Sequence, residues 1–193
     1  MTSVTINLES IIQAHMPGLK AAKAGALVDA AACCFMQNQH LSGIEVEVNC
    51  TPAPNHKVNV NWDAQLTPDM ERTWYDTDEA AEDGASALAI LLAYELKDHI
   101  VVSRARKKTG FDYFLCHKDE LANVQRGPNS LFNYTKRLEV SGLFCQPASS
   151  VKARLQTKIV QTAKYDSDWD VPALIGIVEF GKPDMHLLER AGK

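Results

Sequence analysis

Between residues 76 and 181 the spacing of apolar residues changes from helical to alternating and back, and the order of those changes confines the chain to few architectures. Asp76-Thr77-Asp78 supplies N-cap candidates, and Glu79, Glu82 and Asp83 crowd the turns that follow, where a helix dipole favours negative charge. The helix runs to about Leu96. Ala85, Ala89 and Ala93 recur every fourth residue, which lets its axis lie close to a sheet, while Leu88, Leu91 and Leu92 fill the adjoining stripe. Strand patterns follow at 99–106, 111–116 and 132–141, separated by a Lys-Lys-Thr-Gly turn and by a polar loop rich in Asn and Gly. A helix is predicted over 149–165 and a further strand over 173–181. Helix, three strands, helix, strand describes an α/β protein with a mixed central sheet flanked by helices.

Residues 7–39 read as two helices with a break near Pro17-Gly18. Ile44 to Val48 and Val58 to Trp62 alternate strictly around Pro52, Pro54 and Asn55, which predicts a β-hairpin with one buried face. Asp63 to Tyr75 reads as a connecting loop. The chain is therefore divided into residues 1–75, an N-terminal extension of helices and hairpin packed on the core, and residues 76–193, the α/β core. Its 193 residues suffice for a buried core without disulfide staples. Five cysteines, an odd number without C-x-x-C spacing, signal neither a zinc knuckle nor a disulfide framework and suit a reducing cytoplasm. The longest apolar run, Ala87 to Tyr94, is far too short to span a bilayer, so no membrane partner is expected.

Net charge is −4, but its distribution is uneven. Residues 1–98 carry 5 Lys/Arg against 14 Asp/Glu, net −9, whereas residues 99–164 carry 12 against 4, net +8. The positive window is either a solvated basic edge or the footprint of a polyanion, and the acidic half suits a protein-docking surface. Within that window Gly110-Phe111-Asp112-Tyr113 and Arg137-Leu138-Glu139-Val140-Ser141-Gly142 place one carboxylate on each of two successive strands. Alternation gives Asp112, Phe114 and Cys116 one face, and Arg137, Glu139 and Ser141 another. An Asp after Gly at a strand start is commonly a turn residue. A Glu between Leu and Val on a central strand must be paired, protonated or metal-bound. Two carboxylates with water suit Mg²⁺ or Mn²⁺. His99, Cys116 and His117 lack zinc spacing, and Trp62, Trp74 and Trp169 read either as stacking residues or, since none lies inside the basic window, as core or edge aromatics.

The order of elements, Asp112 and Glu139 together resemble the core of the restriction-endonuclease-like, PD-(D/E)xK, nucleases, and the block Arg137 to Gly142 resembles bacterial proteins of this type. The resemblance covers residues 76–181 and implies metal-dependent hydrolysis of DNA, in bacterial defence or DNA processing. It implies Asp112, Glu139 and the main-chain carbonyl of Val140 as metal ligands, and Glu82, with Glu79 an equal choice, as the helix glutamate that orients water. Ser141 stands where the family has lysine, and serine carries no positive charge. The helix over 149–165 offers Arg154, Lys158, Gln161 and Tyr165 in one stripe, so Lys158 can replace that lysine, and Gln161-x-x-x-Tyr165 is similar to an element of the RecB-like branch. Arg104, Arg106, Lys107 and Lys108 would position the nucleic-acid backbone. The alternative, for which the absent lysine argues, is an inactive nuclease-like fold acting as a nucleic-acid- or protein-binding subunit of a larger complex, and a homodimer is compatible with either.

Overall fold

Eight strands hydrogen-bond into one mixed sheet, and helices pack against it on both faces. The computed structural model describes residues 2–120 and 134–192. In chain order the elements are β1 (Thr2–Asn7), α1 (Ser10–Gln13), α2 (Ala21–Gln37), β2 (Ile44–Thr51), β3 (His56–Asn61), α3 (Pro68–Thr73) and α4 (Thr77–Lys97). There follow β4 (His99–Arg104), β5 (Tyr113–His117), β6 (Lys136–Leu143), α5 (Ala148–Ala163), β7 (Ala173–Glu179) and β8 (Asp184–Arg190). Across the sheet the order is β1-β3-β2-β8-β7-β6-β5-β4. From α4 to β7 the elements run helix, three strands, helix, strand, as the periodicity predicts.

The hairpin of β2 and β3 belongs to the same sheet as the core: β2 lies parallel to β8, with Glu47 beside Asp184, and β8 lies antiparallel to β7. Two of the strands, β1 and β8, were not anticipated. The segment 63–75 is not loop throughout, because Thr67 accepts a hydrogen bond from the Met70 N–H and Pro68 opens the short helix α3. The predicted polar loop before β6, and the predicted strand start at 132, lie largely outside the described residues. No described helix is long and apolar enough to cross a membrane.

Small side chains set the layer spacing. α4 lies between the sheet and α2, and Gly142 of β6 faces it so closely that a Cβ would stand 1.9 Å from the Ala81 carbonyl oxygen. On the other side of α4, a Cβ on Gly84 would stand 2.9 Å from the Cα of Ala31 in α2. The alanine stripe of α4 thus meets sheet and helix alike, and its residues Ala80 to Ala93 are buried with few exceptions. α5 covers the opposite face of β6 and β7 through Val151, Leu155 and Ile159, which pack on Ile175 and Ile177. Its remaining face carries the polar stripe.

Candidate functional site

The site lies where β5 and β6 part. Tyr113 is paired with Leu138, and the Asp112 N–H still donates to the Leu138 carbonyl at 2.9 Å. Beyond that point the chain of residues 105–112 turns away, leaving the next N–H groups of β6 without a strand partner on that edge. Carboxylates take their place. Asp112 Oδ2 accepts from Val140 N at 2.9 Å, and Glu82 Oε2 accepts from Gly142 N at 3.3 Å. Within a strand a residue's N–H and C=O leave on the same edge, so the Val140 carbonyl also opens toward Asp112.

Glu139 projects from β6 toward α5 and is 2 % exposed. Lys158 Nζ stands 2.5 Å from its Oε1, and Gln161 Nε2 donates to the same oxygen at 2.9 Å and to the Gly110 carbonyl at 3.3 Å. Burial, followed by the charge of Asp112, pushes the Glu139 carboxyl up to about 7 despite Lys158 and Gln161. Burial also raises Asp112, against the Val140 N–H and the charges of Lys158 and Arg104. Two carboxylates, Glu139 buried and Asp112 half-buried, thus share a corner that is short of positive charge. That shortage, with a main-chain carbonyl on the same edge, fits a hard divalent cation in its donor chemistry. Among the described residues no group of three or more His, Cys, Asp or Glu side chains is placed to hold a metal, so Asp112, Glu139 and Val140 O would leave the remaining positions to water.

The whole polar stripe of α5 follows β6. Arg154 Nη1 donates to Ser141 Oγ at 3.1 Å, Ser141 Oγ donates to Glu82 Oε1 at 2.9 Å, and Arg154 lies 3.6 Å from the same Glu82 oxygen. Ser141 is fully buried and joins these two charged groups. Glu82 therefore reaches the strand one step along from the Asp112–Glu139 corner, while Glu79 is exposed at the helix start. At the other end of the stripe the Tyr165 ring covers Gly110, whose φ of +80° and lack of Cβ admit it. The predicted helix placed Arg154, Lys158, Gln161 and Tyr165 on one face, whereas Tyr165 lies two residues past the end of α5, and no sequence signal revealed Ser141 as the link between Arg154 and Glu82.

A cavity of about 510 Å³ opens above the carboxylates. Asp112, Glu139, Lys158, Gln161 and Tyr165 line it, and Arg104, Arg106, Lys107 and Lys108 of the β4–β5 turn form its rim. The four rim cations are exposed. Arg137 shares the face of Glu139 but not its environment: it is fully buried, donates to Asp166 at 2.8 Å and to the Val171 carbonyl at 3.1 Å, and is a structural ion pair. Comparison with known proteins yields no matching family model, no matching curated protein and no matching solved structure.

Proposed function

We propose that this cleft hydrolyses phosphodiester bonds of DNA with a divalent metal, Mg²⁺ or Mn²⁺, in the manner of the PD-(D/E)xK nucleases that the sequence resembles. The observation that carries the reading is the parting of β5 from β6, which brings Asp112, Glu139 and Lys158 together beneath a rim of four cations. Asp112, Glu139 and the Val140 carbonyl would hold the metal. A bound divalent cation polarises a phosphoryl oxygen and lowers the pKa of an attacking water. Lys158, drawn from α5 in place of the lysine that Ser141 replaces, offsets charge on the reacting phosphate. Gln161 holds Glu139 in its rotamer by tying it to the Gly110 carbonyl. The rim cations hold the flanking phosphates in register.

A second reading, an inactive fold that binds nucleic acid or a protein, draws on a specific observation. Asp112 and Glu82 satisfy N–H groups of an otherwise open strand edge, which is a sufficient structural use for both carboxylates. Calorimetric titration with Mg²⁺ and Mn²⁺, comparing wild type with Asp112→Asn/Glu139→Gln, separates the two. Metal binding and plasmid nicking that vanish together in the double variant support hydrolysis. A folded wild-type protein that binds neither ion at millimolar concentration refutes it.

A further inference from the structure

The cleft is asymmetric, and its asymmetry bears on the form of nucleic acid it admits. One wall is the β4–β5 turn with its exposed cations. Beside it stands an aromatic surface, with Tyr165 and Phe111 in the cavity lining and Trp169 outside it against Phe111. Tyr165 lines the cavity, with its ring pressed so near Gly110 that a Cβ there would stand 2.2 Å from it. Four residues on, past the end of α5, the Trp169 main-chain N–H donates to the Tyr165 carbonyl at 3.2 Å. The indole meets Phe111, itself a cavity-lining residue, at 5.8 Å and Phe114 at 4.8 Å between ring centroids, both edge to face. Two such contacts fix the indole plane. Trp62 and Trp74 are 5 % and 8 % exposed, whereas Trp169 remains half-buried at the surface.

A duplex keeps its bases stacked inside and presents phosphates from both strands, so an aromatic wall offers it little. A single strand places phosphates on one side and turns unstacked bases to the other, where aromatic rings hold them by stacking. Exposed cations with fixed rings beside them match the second arrangement. We propose that the cleft takes single-stranded DNA, its backbone along Arg104 to Lys108 and a base against the Tyr165–Trp169 surface. This rests on the phosphodiester reading of the same cleft but concerns binding, which needs no metal.

The test is a tryptophan-fluorescence titration of the full chain in EDTA, with oligothymidylate and with a duplex of matched length. Single strands should quench and bind at least about fivefold more tightly than duplex, the lower limit of what one stacked base supplies. Trp169→Phe keeps a ring and should abolish the quench; Trp169→Leu should weaken binding by roughly five- to a hundredfold. Duplex bound as tightly as single strand by the wild-type protein, a comparison that requires no variant, overturns the inference. Quenching that persists in Trp169→Phe does so too. A protein that binds single strands in EDTA but neither binds Mg²⁺ nor cleaves would keep this inference and lose the hydrolytic one, and a nuclease indifferent to single strands would do the reverse.

Discussion

Glu139→Gln should make the protein more stable at alkaline pH, with no gain in acid. The wild-type carboxyl ionises at an ordinary 4.5 in the unfolded chain and at about 7 in the folded one, because burial and Asp112 oppose its charge. A carboxyl raised in this way contributes stability below its unfolded value, where both states are protonated, and loses that contribution as pH rises through the folded value. At about 1.4 kcal/mol for each tenfold change in ionisation constant, the loss between pH 4.5 and pH 7 approaches about 3 kcal/mol. Glutamine keeps the shape and cannot ionise. Urea unfolding of both proteins in EDTA should therefore give curves that coincide near pH 4.5 and separate by about 2–3 kcal/mol at pH 8, or about 6–10 °C in melting temperature. A divalent cation should close the gap by stabilising the wild type alone. Parallel pH profiles, or a variant less stable at pH 8, would show that Lys158 already neutralises Glu139 and that the corner has no use for further positive charge.

Other perturbations address the site and its support. Lys158→Met should reduce cleavage at least about a hundredfold while metal affinity by calorimetry is kept or increased, since the cation no longer competes with an ammonium for Glu139. Arg137→Met should lower urea-unfolding stability by about 1–3 kcal/mol, because the Val171 carbonyl loses its side-chain donor while Asp166 keeps Arg190 on both of its oxygens. Gly142→Ala should cost about 3 kcal/mol or more by forcing α4 off the sheet, read as a fall in melting temperature. Lys107→Gln/Lys108→Gln should flatten the dependence of log affinity on log salt by about 1.4 for a single strand, with little change in stability.

Much of the core was legible because its signals are local. The alanine and leucine stripes of α4, the short apolar run of β4, the alternation of β6, and the polar stripe of α5 each follow from side-chain spacing within one element. The strands β1 and β8 escaped because Val4 and Ile6, or Met185 and Leu187, supply only two inward-facing apolar residues apiece; the partner of β1 lies far along the chain, whereas β8 simply follows β7 in a tight hairpin. α3 did carry a signal, the Thr67-Pro68 start, but six residues give a helical period too little length to register. The convergence of Asp112 and Glu139 follows from neighbouring strands. That Asp112 sits just before β5 and binds Val140 N follows from where the strands part, which no spacing encodes.

The position of β8 has a temporal consequence. This last strand in chain order stands between the β2–β3 hairpin and β7, so the two halves of the sheet have no hydrogen-bonded seam until it arrives. A ribosome releases the hairpin, α4 and the whole carboxylate corner well before β8. Until then the inner edges of β2 and β7 are both bare, and both are templates for pairing with another chain. Folding rate and aggregation should therefore depend on the seven residues of β8, which join the hairpin to the rest of the sheet.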